Sequence, residues 1–133
     1  MKNTSLVGKL GEDIACDYLK GRGFKILDRN FRKPWGEIDI IAKDKSGILV
    51  FVEVKAMKNF NPAIAGLRPE DNLTGSKLKK LQKTACLYVG ANNDLVNDKN
   101  GWRIDLVAID FLKESSDLTE IKKHCEIRYI ENI

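Results

Sequence analysis

The stretch Leu49-Val50-Phe51-Val52-Glu53-Val54-Lys55 constrains the fold most. Period-two alternation sends Leu49, Phe51, Glu53 and Lys55 to one face of a strand and Val50, Val52 and Val54 to the other. Both faces are apolar over most of the run, so the strand is expected to be central and covered on each side. Its C-terminal end breaks the pattern, because Glu53 and Lys55 emerge together on one face. A second apolar run, Gly36-Glu37-Ile38-Asp39-Ile40-Ile41, carries Asp39 inside it. Charge in such places is expensive unless something compensates it.

The rest of the chain supplies the neighbours of that strand. Leu10, Ile14, Tyr18 and Leu19 recur at helical spacing, which predicts a helix over 6–22 stopped by Gly21 and Gly23. Glu12 lies on a neighbouring stripe of that helix and can point inward. Strands are predicted at 24–31, 37–43 and 48–55, with Pro34-Trp35-Gly36 and Asp44-Lys45-Ser46-Gly47 as turns. Residues 56–74 carry two prolines and little periodicity, and read as a long loop beginning beside Lys55. A helix follows over 75–90, capped by Thr74 or Ser76, with Leu78, Leu81, Ala85, Tyr88 and Val89 as its apolar stripe. Strands at 102–112 and 125–130 complete the order. The helix between the third and fourth strands is long enough for a crossover, so those two strands are expected to be parallel. The fold class is therefore α/β, with a mixed central sheet (an antiparallel meander plus a parallel crossover strand) flanked by helices.

At 133 residues, 43% apolar and 32% charged, the chain reads as one globular domain, 1–133, able to bury a core. No apolar run reaches the length of a membrane span, and the first residues lack the apolar stretch of a signal peptide, so a cytoplasmic location and no membrane partner are expected. The three cysteines are widely spaced, which argues against a zinc ribbon or a disulfide framework. Cys16 and Cys86 read as small core residues. Trp35 and Trp102 read as turn-adjacent core packing rather than as platforms for bases. His124, in a polar segment, offers no basis for a Ser-His-Asp triad. Asp105, inside a strand beside Arg103, reads as the structural partner of a basic residue.

The chemistry suggested by the misplaced charges is phosphodiester hydrolysis. If the hairpin is regular, Asp39 lies across from Glu53 and Lys55. Carboxylate oxygens suit hard cations such as Mg²⁺ or Mn²⁺, with Asp39 and Glu53 as ligands and the Val54 carbonyl as a neutral addition. Such an ion acidifies water and neutralises charge developing on phosphate, and Lys55 beside it would stabilise the same charge. Glu12 could serve a second metal or one of its waters, and Lys77 a neighbouring phosphate. Net charge is +4, which permits a polyanionic partner. Lys77, Lys79, Lys80 and Lys83 crowd one segment, and Lys20, Arg22, Lys25, Arg29, Arg32 and Lys33 another. The plain alternative for each cluster is a solvated face.

Asp…Glu-x-Lys on consecutive strands resembles the PD-(D/E)-x-K nuclease superfamily, which has a restriction-endonuclease-like core. A closer resemblance is to the YraN family of endonuclease-like proteins, itself similar to archaeal Holliday-junction resolvases. The stretches that carry it are Gly8-Lys9-Leu10-Gly11-Glu12-Asp13-Ile14-Ala15, Leu19-Lys20-Gly21-Arg22-Gly23-Phe24, Arg29-Asn30-Phe31-Arg32, Gly36 to Ala42 and Val50 to Lys55. Lys77 stands where the family has a lysine, and Arg103-Ile104-Asp105-Leu106-Val107 matches a later strand. The resemblance implies Asp39, Glu53 and Lys55 as the catalytic core, with Glu12 as the helix-borne acid. It implies an endonuclease acting on DNA, branched or damaged DNA included, and a homodimer only by analogy with the resolvases. The family usually places an arginine two residues after the lysine, where this chain has Met57. Two other readings compete: a nucleic-acid-binding module without turnover, whose binding would be strongly salt-dependent, and a structural or protein-interaction domain, which predicts no such binding.

Overall fold

The structure, a computed structural model, describes residues 6–61, 66–96 and 99–133. Parts of two expected loops, 62–65 and 97–98, lie outside the described residues. Helix α1 spans Leu6–Gly21, strands β1, β2 and β3 span Lys25–Lys33, Gly36–Lys43 and Leu49–Lys58, and helix α2 spans Gly75–Ala91. Strand β4 (Trp102–Phe111), a short helix α3 (Leu118–Lys123) and strand β5 (Cys125–Ile130) follow. The strands form one sheet in the order β1-β2-β3-β4-β5. The β1–β2, β2–β3 and β4–β5 pairs are antiparallel and β3–β4 is parallel. This is the expected mixed α/β sheet, and α2 is the crossover that makes the parallel pair possible.

The two helices cover opposite faces, as the doubly apolar β3 requires. On one face Leu10, Ile14, Ala15, Cys16 and Leu19 of α1 pack on Val50, Val52, Val54, Val107 and Ile109. On the other, Leu81 and Ala85 of α2 pack on Ile38, Ile41, Leu49, Phe51 and Ile104. Burial of each such Val, Leu or Ile is worth about 1.5–3 kcal/mol, so this two-sided core holds the central strand fixed. Helix α1 ends in a tight left-handed cap. Gly23 takes φ +89°, its N–H donates to the Lys20 carbonyl, and the Phe24 N–H donates to that of Leu19. Those two bonds satisfy carbonyls that the last helical turn would leave open, and positive φ is what makes glycine suitable there. Gly11 serves a different need. A β-carbon there would lie 2.6 Å from Ala56 Cβ, so α1 crosses the end of β3 with no room to spare.

Several expectations change. Strand β3 runs on to Lys58, with Ala56, Met57 and Lys58 paired to Ile109, Asp110 and Phe111, so the expected loop at 56–74 begins three residues late. Its far end is also ordered, as a single 3-10 turn at Pro69–Asn72. Cys86 is exposed while Cys16 is buried, because α2 has a narrow apolar stripe and Cys86 falls beside it. Trp35 is not core; it is 47% exposed in the two-residue turn between Lys33 and Gly36. Trp102 does pack inward, edge-to-face on Phe51 at 5.5 Å between ring centres. No helix among the described residues is long and apolar enough to cross a membrane.

Candidate active-site cleft

The site begins with an interruption of the sheet. The β2–β3 ladder pairs Lys43 with Leu49 and continues to Ile40 with Val52. One more step in that register would set Asp39 opposite Glu53, but regular pairing stops there. Instead the Val54 N–H donates to Asp39 Oδ2 at 2.8 Å. The carboxylate takes the place of a backbone acceptor, and Asp39, only 3% exposed, is held by the strand that carries Glu53 and Lys55. N–H and C=O of one strand residue point to the same side, so the Val54 carbonyl is directed toward β2 as well.

Glu53 and Lys55 share a face, two residues apart, as alternation predicts. Lys55 Nζ lies 3.2 Å from Glu53 Oε1, with both side chains mostly shielded from solvent. With Asp39 they line a cleft of about 660 Å³ between the β1–β2 hairpin and α2. Arg32 and Lys33 enter it from the hairpin and Lys77 and Lys80 from α2. Five cationic side chains thus face three carboxylates, Glu37 being the third. The imbalance suits an anionic guest.

Each wall is positioned by identifiable contacts. Thr74 caps α2 by accepting the Lys77 N–H, and Lys77 Nζ donates to the Asn72 carbonyl at 3.2 Å. Thr84 is 1% exposed and abuts Gly36, where any side chain would collide with its hydroxyl. Tyr88 of α2 meets Phe31 of β1 and Phe51 of β3 edge-to-face, at 5.2 and 5.5 Å. Such pairs add about 0.5–1.5 kcal/mol each beyond burial, and here they tie hairpin, sheet and α2 together.

Of the residues singled out from sequence, Asp39, Glu53, Lys55, Lys77, Lys80, Arg32 and Lys33 meet in this cleft. Lys79 is exposed on α2 outside it. Glu12 is buried, 4% exposed, but does not line the cleft. Its neighbour Gly11 lies against Ala56 and Val54, so α1 brings Glu12 to the level of Glu53 and Lys55 from the other face of the sheet. Among the described residues, no group of three His, Cys, Asp or Glu side chains is gathered to hold a metal ion. Asp39 and Glu53 remain a two-carboxylate oxygen set, which fits an ion such as Mg²⁺ that keeps several waters.

Two networks outside the cleft escaped the sequence reading in whole or part. Asp105 was expected to have a basic partner, and Arg103 Nε donates to it at 3.0 Å. Tyr129 Oη and the Asn132 N–H donate to it as well. Burial and then the bond to Asp105 push the Tyr129 phenol well up. Burial disfavours the Asp44 anion, but bonds from Arg103, Ile48 and Ser46 outweigh it and hold that carboxyl below its usual range. The second network was not foreseen. Arg128 grips Glu70 with two nitrogens, at 2.8 and 2.7 Å, and reaches Asp110 at 2.7 Å. Asn59 joins Asp110 to the Leu67 carbonyl. This clasp fixes the segment leading to Leu73 and α2, and so to one wall of the cleft. Its signal was present: Asp110 is a charge in an apolar run, as Asp39 is.

A mixed five-stranded sheet with a helix on each face and the Asp-Glu-Lys cleft beside its central strand is an α/β fold consistent with a restriction-endonuclease-like core. The chain belongs to the UPF0102 (YraN) family: residues 11–109 match the family described as "Uncharacterised protein family UPF0102". A UPF0102 protein of Clostridium botulinum (strain Loch Maree / Type A3) is 43% identical over 103 residues, 77% of this chain and 78% of the relative. One from Trichlorobacter lovleyi is 36% identical over 118 residues, 89% of this chain and 87% of the relative. Another, from Dictyoglomus thermophilum, is 42% identical over 87 residues, 65% of this chain and 70% of the relative.

Proposed function

We propose that this chain is a Mg²⁺- or Mn²⁺-dependent endonuclease that hydrolyses phosphodiester bonds in DNA, branched or damaged DNA included. One observation carries the reading: Asp39, Glu53 and Lys55 share a cleft whose walls bear Arg32, Lys33, Lys77 and Lys80. Asp39 and Glu53 are the carboxylates that would hold the cation. A divalent ion there would supply positive charge beside the scissile phosphate and lower the pKa of water. The Val54 N–H orients the Asp39 carboxylate from behind. Lys55 stabilises charge that grows on the phosphate oxygens, in a partly shielded place where a fixed charge acts strongly. The four wall cations bind flanking phosphates and hold the strand in register. Glu12, buried on α1 and not lining the cleft, is given no ligand role in this reading.

Cleavage of labelled linear, nicked and four-way-junction DNA by purified protein in Mn²⁺ tests the proposal. Asp39→Asn and Lys55→Ala should each lower the rate by about 10²-fold or more, the scale of losing one transition-state stabiliser. Cleavage that survives both substitutions unchanged sinks the assignment. A second reading rests on the 3.2 Å contact between Lys55 and Glu53, which is also a complete ion pair. On that reading the cleft binds DNA without turnover, and metal titration shows no Asp39-dependent binding.

A further inference from the structure

Trp35 is a large exposed aromatic beside the cleft whose position the cleft chemistry does not explain. Sequence placed it in the core; the fold leaves it 47% exposed at the tip of the β1–β2 hairpin. Its two chain neighbours, Pro34 and Gly36, line the cleft, as do Arg32 and Lys33 just before it. The turn is stiff. Lys33 pairs with Gly36, leaving only Pro34 and Trp35 in the connection, and neither has positive φ. Proline fixes its own backbone angle there, and Phe31, a few residues back, is packed edge-to-face on Tyr88 of α2 at 5.2 Å. The backbone that carries the indole is therefore held at a set position relative to the cationic walls.

We propose that Trp35 stacks on an unpaired nucleobase of DNA whose backbone lies in the cleft, and so selects DNA with a single-stranded or splayed segment over uninterrupted duplex. The inference rests on the reading that the cleft takes DNA. An electrostatic groove that tracks phosphates beside an exposed aromatic is the combination single-strand binding requires, because every free base offers a π-face. In a closed duplex those faces are already stacked, and the indole gains nothing without opening a step. The cation excess beside Trp35 favours a polyanion over an apolar peptide as its partner. A stiff turn also lowers the entropy lost when the indole engages.

The chain has two tryptophans, so Trp102→Phe leaves Trp35 as the sole one. This protein is titrated in EDTA with a thymidine oligonucleotide, with a splayed fork and with a blunt linear duplex of two fully paired strands, while its emission is followed. Quenching by the oligonucleotide and the fork, but not by the duplex, is expected. Binding is also measured for Trp35→Ala and Trp35→Phe in the otherwise native chain. Trp35→Ala should weaken oligonucleotide and fork binding by roughly five- to 150-fold, the equivalent of about 1–3 kcal/mol at about 1.4 kcal/mol per factor of ten. Duplex binding should change less than about twofold on the same scale, and Trp35→Phe should retain most of the preference. Equal weakening on all three DNAs, or none on any, overturns the inference. If that happens while Asp39→Asn still abolishes cleavage, the stacking role falls and the nuclease reading stands. If none of the DNAs binds in a salt-sensitive way, the reading of the cleft falls with it.

Discussion

Gly36→Ala is the sharpest probe of how α2 seats on the hairpin. A β-carbon at Gly36 would sit 2.0 Å from Thr84 Oγ1, 3.2 Å from Thr84 Cβ and 3.3 Å from Thr84 Cγ2. The last two contacts can relax by a few tenths of an ångström, but the first cannot. Thr84 is buried, and its hydroxyl donates to the Lys80 carbonyl at 2.9 Å. Rotating the hydroxyl away breaks that bond inside the core; holding it forces α2 outward. Overpacking of this kind costs about 1–3 kcal/mol, and a buried hydroxyl left without its partner about 1–3 kcal/mol. The two are alternatives in part, so a net loss of about 2–4 kcal/mol is expected. At roughly 4 °C per kcal/mol for a chain of this size, the melting temperature should fall by roughly 8–16 °C. Urea unfolding gives the free energy directly. Thr84→Ala in the Gly36→Ala background removes the 2.0 Å contact, and should restore at least about 1 kcal/mol beyond additivity in the double-mutant cycle. A Gly36→Ala loss below about 0.5 kcal/mol, the level of an ordinary surface change, or an additive cycle, would refute the described contact between α2 and β2.

Arg128→Ala should destabilise by about 3–5 kcal/mol, because it leaves Asp110, 1% exposed, without its guanidinium; limited proteolysis should then cut near the Pro69–Asn72 turn. The Glu70 carboxyl is held below its usual range by its bonds to Arg128, against the opposing effect of burial. The folded state therefore binds fewer protons than the unfolded one over that interval. Its stabilisation is complete above the ordinary glutamate value of about 4.3 and is lost as pH falls through the lower folded value. Glu70→Gln should flatten that part of a stability-versus-pH curve measured by urea unfolding. Burial raises the Cys16 thiol and hides it, while Cys86 is exposed; a thiol reagent at neutral pH should label Cys86 first and Cys16 only on unfolding, as mass spectrometry of the labelled peptides would show.

The central strand, its covering helices and the parallel crossover were legible because hydrophobic period and length encode them directly. The same alternation placed Glu53 and Lys55 on one face, and a regular register brought Asp39 to them. Alternation could not show that Asp39 would replace a ladder acceptor at Val54, since that depends on where two strands part. Ala56, Met57 and Lys58 lack a strand pattern and are extended only because β4, some fifty residues on, offers them a parallel partner. Helix α3 is six residues long, too short to carry a period. Trp35 misled because large aromatics are usually buried; a two-residue turn that starts with proline leaves its second side chain no interior to enter. Lys80 faces the cleft and Lys79 does not, a distinction set by the rotation of α2, which Thr84 against Gly36 fixes.

The edge-to-face chain from Phe31 through Tyr88 to Phe51 has a mechanical consequence. The hairpin wall, the α2 wall and the floor strand are clamped to one aromatic cluster, which opposes closing of one wall on the other. On the proposed function, shape adjustment falls to the nucleic acid. Smooth bending of a duplex site by 40–90° costs of order 1–6 kcal/mol, whereas a nick, gap or junction is already a soft point. Such a cleft would discriminate by the stiffness of what enters it, reading pliability where other proteins read bases.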